Sequence, residues 1–371
     1  MLEEKLERSV EQSAAALTAM ADDFFDHPEV GLQEFHAFET LTGWLEKEGF
    51  TVERGIAGMD TAFRAVWKHG EGGPNIGLLC EYDALAGLGH ACGHHMQGPA
   101  ILGAAKALKD AAIDAPYTIT VYGTPAEESI SGKVMMLENG CTFEELDVAL
   151  MMHGGPATQV DVKSLALNKL KIIYHGVCSH AALKPEKGRS ALMAACAAAM
   201  IMQGIPRSGE GTTRIAVGRL NAGEGRNVTP VHADMQLEVR GETGEINQYM
   251  VKNVENIVEG VKRAYEVEAE IVKAGEATTL PSCPEVLDLI ESVAKTVPGV
   301  ESIERFNKPS GSEDCTLLIE RVVQHGGRGA YFLFGCNHHG HHRADFEIQD
   351  ETSLPMAFNM FKGLALRLNG I

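Results

Sequence analysis

The stretch IGLLCEYDALAGLGHACGHHMQGPAILGAAKALK, residues 76–109, holds a strand, a loop crowded with acids, histidines and a cysteine, and a helix. Ile76–Cys80 is a short continuous apolar run, the mark of a strand buried on both faces, and Gly98–Lys109 follows with helical spacing. The alternation recurs along the chain. Apolar runs at Ala62–Trp67, Thr118–Tyr122 and Val148–His153 are separated by helical stretches such as Lys133–Asn139. This rhythm predicts an α/β domain with a mixed, mainly parallel sheet flanked by helices. Two helices precede it, one ending near His27-Pro28 and one running from Glu34 to Glu48 and stopping at Gly49.

After Pro156 the pattern changes. Leu165–Tyr174 reads as a strand, Ser190–Gln203 as a helix, Thr213–Leu220 and His232–Arg240 as strands, Glu245–Tyr265 as a helix and Glu268–Lys273 as a closing strand. That order predicts a ferredoxin-like α+β unit. From Pro281 onward the first style resumes with a helix at Glu285–Thr296, a strand at Ala330–Phe334 and a last helix after Thr352. The expected architecture is a catalytic metal-binding domain, residues 1–164 and 281–371, interrupted by an inserted lid and dimerisation domain, residues 165–280.

Composition narrows the function classes. A chain of 371 residues, 44% of them hydrophobic, can bury a large core and suits two domains. With 51 acidic against 32 basic side chains, a net charge of −19 repels polyphosphates and anionic membrane surfaces. Neither nucleic acid nor a membrane is an expected partner. The opening segment mixes charges through a helical pattern, with no apolar signal region and no spanning run, so a soluble cytoplasmic protein is expected. Eight unevenly spaced cysteines fit thiols in a reducing compartment better than a disulfide scaffold.

Four constellations carry chemistry. Glu81-Tyr82-Asp83-Ala84-Leu85 and Gly89–His95 follow directly on a buried strand. A thiolate (Cys92) and an imidazole (His94) one glycine apart can reach one metal, and sulfur with nitrogen suits zinc or another transition ion. Glu127 and Glu128, in Pro125-Ala126-Glu127-Glu128, follow a second strand. Two adjacent buried carboxylates need a neutralising charge, which a metal supplies to one while leaving the other as a general base. His153 ends a third strand, and His338-His339-Gly340-His341-His342 follows a fourth. Each alone reads equally as a core histidine, a solvated pair or a surface tract; their common place at strand ends of one sheet makes them converge.

These motifs resemble the hippurate, auxin-conjugate and aminobenzoyl-glutamate hydrolase branch of metallopeptidase family 20, which also includes aminoacylases and a β-alanyl-lysine dipeptidase. The resemblance runs through EYDAL (81–85), HACGH (90–94), PAEE (125–128), Met152-His153, GEGRNVTP (223–230) with Arg240, Ser312-Glu313-Asp314, and His342 with Phe346. It implies a dinuclear metal amidohydrolase: Cys92 bridging two divalent ions (Zn or Mn), His94, Glu128, His153 and His342 as further ligands, and Glu127 as general base. It also implies that Asp83 orients a ligand, that His180 reaches the scissile carbonyl, sometimes from a partner protomer, and that Asn227 and Arg240 hold a substrate carboxylate or oxyanion. The implied assembly is a homodimer through the lid.

The chain departs from the pattern at His95, where aspartate is usual, and at Ala86, where proline is usual. A ligand shift to His95 or His341 therefore stays open, with His342 preferred because it stands four before Phe346. The implied reaction is cleavage of the amide bond of an N-acyl amino acid or dipeptide-like small molecule by a metal-activated water. Two alternatives share the site: hydrolytic deamination of an aromatic amine, and a non-catalytic metal-dependent binding protein.

Overall fold

The run at Ile76–Cys80 is buried at every residue. It is an inner strand of a sheet in the computed structural model, which describes residues 2–111, 114–162, 164–280, 283–305, 312–335, 340–343, 345–346, 355–357, 359–360 and 363. The chain divides into two units, residues 1–163, 280–309 and 313–371, and residues 164–279 with 310–312.

The first unit begins with helices α1 (Leu2–Asp26) and α2 (Phe35–Lys47) and strands β1 (Thr51–Arg54), β2 (Phe63–His69) and β3 (Asn75–Cys80). Helix α3 (His94–Ala111), strand β4 (Tyr117–Gly123), the short helices α4 (Glu127–Ile130) and α5 (Gly132–Glu138), and strands β5 (Val148–Gly155) and β6 (Thr158–Gln159) follow. The second unit contains β7 (Ala166–His175), α6 (Ala191–Gln203), β8 (Thr213–Ala222), β9 (His232–Gly241), α7 (Gly244–Tyr265) and β10 (Glu268–Ala277). The chain then completes the first unit with α8 (Pro284–Ala294), β11 (Ile303–Glu304), α9 (Cys315–Gln324) and β12 (Arg328–Gly335).

Among the described residues the first sheet runs β1-β2-β4-β3-β5-β12-β6-β11. Its centre, β4-β3-β5-β12, is parallel. Strands β1 and β2 add on antiparallel. Continuous apolar strands are what a sheet covered on both faces needs. Leu78, Cys80, Leu150 and Met152 turn to one face, under α1, α2, α3 and α8. Leu79, Ala149 and Met151 turn to the other, against Met136, Leu318, Ile319 and Val322 of α5 and α9.

The second unit is a four-stranded antiparallel sheet, order β10-β7-β9-β8, with α6 and α7 packed on it. This is the ferredoxin-like order of elements. Ser190 and Thr243 cap α6 and α7 by accepting from the Met193 and Ile246 amides, which supplies the partner that an exposed helix N-terminus lacks.

Several details differ from the sequence expectations. Helix α3 starts at His94, earlier than Gly98, and His153 sits two residues inside β5 instead of closing it. Helix α9 and the short strands β1, β6 and β11 were not expected. His338, His339, Pro281 and Thr352 lie outside the described residues; residues 355–357, 359 and 360 are helical. No helix among the described residues is long and apolar enough to cross a membrane.

Candidate metal centre

Strand β3 lies between β4 and β5, so the direction of the chain's progress across the sheet reverses at it, and side chains beyond the strand ends meet in a crevice there. Register levels those ends: Cys80 stands opposite Gly123, Leu79 opposite Met151 and Leu333 opposite His153. Gly93 makes the tight turn between Cys92 and the first residue of α3. Its φ of 91° is a conformation that side chains disfavour.

The turn brings Cys92 Sγ to 3.6 Å from His153 Nε2. The ligand atoms of Cys92, His94 and His153 lie within 4.8 Å of one another, and so do those of Cys92, Glu128 and His342. The two sets share the thiol. A third set joins His94, Glu127 and Glu128. Asp83 braces the group from behind. Its Oδ1 lies 3.1 Å from His94 Nδ1, and its Oδ2 accepts the Glu128 amide at 2.9 Å. A carboxylate on the inner nitrogen fixes the ring so that Nε2 faces the thiol, the arrangement that orients a metal-binding histidine.

His342 Nε2 lies 3.3 Å from Glu128 Oε2. His341 instead places Nε2 2.9 Å from the Gly154 carbonyl oxygen and packs its ring on His153 and Phe346. The His95 ring lies against Phe25 and His90, and among the described residues it joins no donor set.

Charge around the centre is organised by burial and by one lysine. Lys133 is fully buried and meets Glu81 Oε1, Asp314 Oδ1 and, at 3.5 Å, Glu313 Oε1. Burial works to raise Glu81, but Lys133 and His94 hold it at about 2. Burial lowers the proton affinity of His94, yet Glu81 and Asp83 outweigh it and raise this imidazole well above its ordinary value. Burial, then His94, pushes His153 down to about 4, so it is neutral at pH 7. Burial would raise Glu128, whereas His342 and His94 keep it at about 2. Glu127 goes the other way: burial, Asp314, Glu81 and Glu128 push it well above the carboxylate range. Two adjacent carboxyls with opposite shifts are the pattern of a ligand beside an acid–base group.

The residues fit a metal. His94 Nε2 and Glu128 Oε1 are buried without a hydrogen bond, although Nε2 lies 3.3 Å from Glu81 Oε2. Such orphaned polar atoms are costly unless something binds them. Sulfur, nitrogen and oxygen donors together suit zinc or a neighbouring transition ion.

The remaining expected residues belong to the second unit. His180 pairs with Val228 across a β-bridge, and the Asn227 carbonyl accepts the Ala181 amide at 3.1 Å, so these two residues share one loop cluster beside the start of β9. Arg240 lies at the other end of β9, bound by both nitrogens to Glu238 and, at 3.3 Å, to Ser312 Oγ. From His232 to Arg240 is 240 − 232 = 8 residues of strand, or ~27 Å. One chain therefore does not bring Arg240 together with His180 and Asn227 on a single small group.

Comparison with known proteins identifies the lineage. The profile of peptidase family M20/M25/M40 matches residues 77–367. The chain belongs to that family. The family makes it a metal-dependent hydrolase of amide bonds. A p-aminobenzoyl-glutamate hydrolase homolog from Haemophilus influenzae is 31% identical, over 91% of this chain and 84% of that one. The indole-3-acetyl-aspartic acid hydrolase of Enterobacter agglomerans is 37% identical over 73% of this chain and 64% of its own. Among solved structures, an aminobenzoyl-glutamate utilization protein from Klebsiella pneumoniae superposes with a TM-score of 0.86 at 29% identity, covering 97% and 98% of the two chains.

Sequence reasoning gave no role to Lys133, Gln97 or Glu34 in this family member. Gln97 accepts the Glu81 amide and donates to Glu81 Oε2 at 3.1 Å. Ser312-Glu313-Asp314 stood out only as part of the resemblance, and the structure shows two of its acids beside Lys133. A lysine flanked by Gly132 and Val134 at the start of an apolar helix was the one available signal.

Proposed function

We propose that the chain hydrolyses the amide bond of N-acyl amino acids, with an aromatic acyl group on an acidic amino acid as the first substrate class to examine. The observation that carries this is the pair of three-donor sets sharing Cys92, with Glu127 beside them. Two sets joined by a thiolate suit two divalent ions, Zn or Mn, held by Cys92, His94, Glu128, His153 and His342. The names of the relatives support the substrate class: p-aminobenzoyl-glutamate and indole-3-acetyl-aspartate both join an aromatic acyl group to an acidic amino acid.

When bound, the ions supply Lewis acidity towards a water and the amide carbonyl. Glu127 takes the proton of the attacking water and delivers it to the leaving nitrogen. Its raised proton affinity suits a group that must hold a proton between two steps. Asp83 keeps His94 and Glu128 in place. His180 and Asn227 donate to the developing oxyanion, and Arg240 pairs with a substrate carboxylate. Their separation along β9 favours contributions from two chains. Support for a homodimer through the second unit comes from α6, where Met193, Met200 and Ile201 are exposed, and from β8, at the end of its sheet. The cytoplasmic reading rests on the sequence alone.

The test is hydrolysis of p-aminobenzoyl-glutamate, indole-3-acetyl-aspartate and N-acetyl amino acids, before and after chelation and with Zn²⁺ or Mn²⁺ restored. Chelator-sensitive amide cleavage is expected, and Glu127→Gln should keep its metal while losing turnover. Ammonia release without amide cleavage would replace this reading with deamination. Retained turnover in Glu127→Gln would remove Glu127 from its role.

A further inference from the structure

Glu34 closes the turn between α1 and α2 and has no exposed surface. A carboxylate removed from water is costly unless its oxygens are bonded, and both are. Oε1 accepts the Ala126 amide at 2.9 Å, and Oε2 accepts the Thr61 hydroxyl at 2.9 Å. Three segments far apart in sequence meet on this side chain.

Ala126 is the residue just before the two glutamates, and it is left-handed, with φ 64° and ψ 35°. That conformation costs a non-glycine residue roughly 1–2 kcal/mol and persists only where the surroundings over-determine it. Helix α4 has four residues and cannot hold its own shape. The amide that must be aimed for this turn is the one Glu34 takes, as Asp83 takes the Glu128 amide two residues on. Gly31 presses on the same place: a Cβ there would stand 2.9 Å from Ala126 Cα and 2.3 Å from Ser129 Oγ. The α1–α2 connection is thus moulded to the outside of the Glu127–Glu128 turn.

We propose that Glu34 is a positioning residue for the reaction, clamping the Ala126 amide and so setting the direction in which Glu127 and Glu128 leave the end of β4. The proposal rests on the reading of those two residues as base and ligand. Glu34 makes its contribution as a hydrogen-bond acceptor fixed in the core, so a neutral acceptor of the same length should replace it.

The experiment compares Glu34→Gln, Glu34→Asp and Glu34→Leu in the full chain. The readouts are Zn²⁺ affinity by competition with a chromophoric chelator, amide hydrogen exchange of the metal-free segment 124–131, and kcat and KM on p-aminobenzoyl-glutamate. Supporting residues behind metal ligands change affinity or activity by about 10- to 100-fold. Glu34→Gln should stay within about three-fold of the parent in all readouts on that scale, whereas Glu34→Leu should lose at least ~10-fold in Zn²⁺ affinity and in kcat, with KM little changed. Exchange of segment 124–131 should quicken while the strands of the sheet keep their protection. Should the leucine variant fail to fold, Glu34→Asp, too short to reach both partners, must show the same losses. Unchanged exchange in 124–131 for Leu or Asp, or a glutamine variant as impaired as leucine, overturns the proposal. Retained turnover in Glu127→Gln would instead sink the base assignment, while exchange and Zn²⁺ affinity still decide the role of Glu34.

Discussion

Replacing Lys133 by methionine tests the electrostatics beneath the metal centre most directly. The ammonium is fully buried and faces Glu81, Asp314 and Glu313, each 9% exposed or less at the side chain. Methionine matches the length of the stem but leaves these acids facing one another with no counter-charge. Removing one partner of a buried ion pair costs about 3–5 kcal/mol, because the other is stranded in low dielectric. For a unit of this size, 1 kcal/mol corresponds to ~2–4 °C in Tm, so the variant should melt roughly 10 °C lower. The assay is thermal unfolding followed by circular dichroism, with and without chelator, so that lost metal is separated from lost packing. A triple variant, Lys133→Met with Glu81→Gln and Asp314→Asn, removes the charges as a set and should recover most of the loss. A single variant melting within about 2 °C of the parent, or a triple variant no better than the single, would refute the reasoning.

Burial pushes Glu34 up to about 7 from 4.5, with a smaller push from Asp83, so the folded state binds its proton more tightly than the unfolded chain does. Stability from this group is therefore full below pH 4.5 and lost as pH rises through 7; Glu34→Gln should be more stable than the parent at pH 8.5, by up to ~3 kcal/mol, and the gap should close towards pH 4.5 in denaturant titrations. His342→Ala should lower bound metal, measured by atomic emission after dialysis, while His341→Ala keeps it; the reverse result would exchange their roles. Gly31→Ala should cost about 1–3 kcal/mol by forcing a methyl against Ala126, seen as a lower Tm; a neutral outcome would show that the turn has room.

The sheet of the first unit was legible because strands buried on both faces are written as unbroken apolar runs, and the motifs at their ends carry their chemistry in residue type. Strand direction was not legible: Phe63–His69 reads like its neighbours yet adds on antiparallel. Helix α9 has Leu318, Ile319 and Val322 on one buried face, but that pattern is short and lacks a capping residue that bonds it, so it does not stand out in the sequence. Lys133 and Glu34 are equally hidden, because a charged residue reads as surface until its partners, 181 and 92 positions away, are known. Arg240 and His180 looked like members of one cluster because sequence gives no length to the strand between them.

Every ligand of the candidate metal centre lies within the segment shared with the family at large, residues 77–367. Glu34 and Gly31 do not. A fragment cut at that boundary would carry the complete donor set and the general base, and would still lack the mould that shapes them. Inventories of ligands and motifs therefore understate what this chemistry requires: the smallest sequence that contains the site is shorter than the smallest one able to form it.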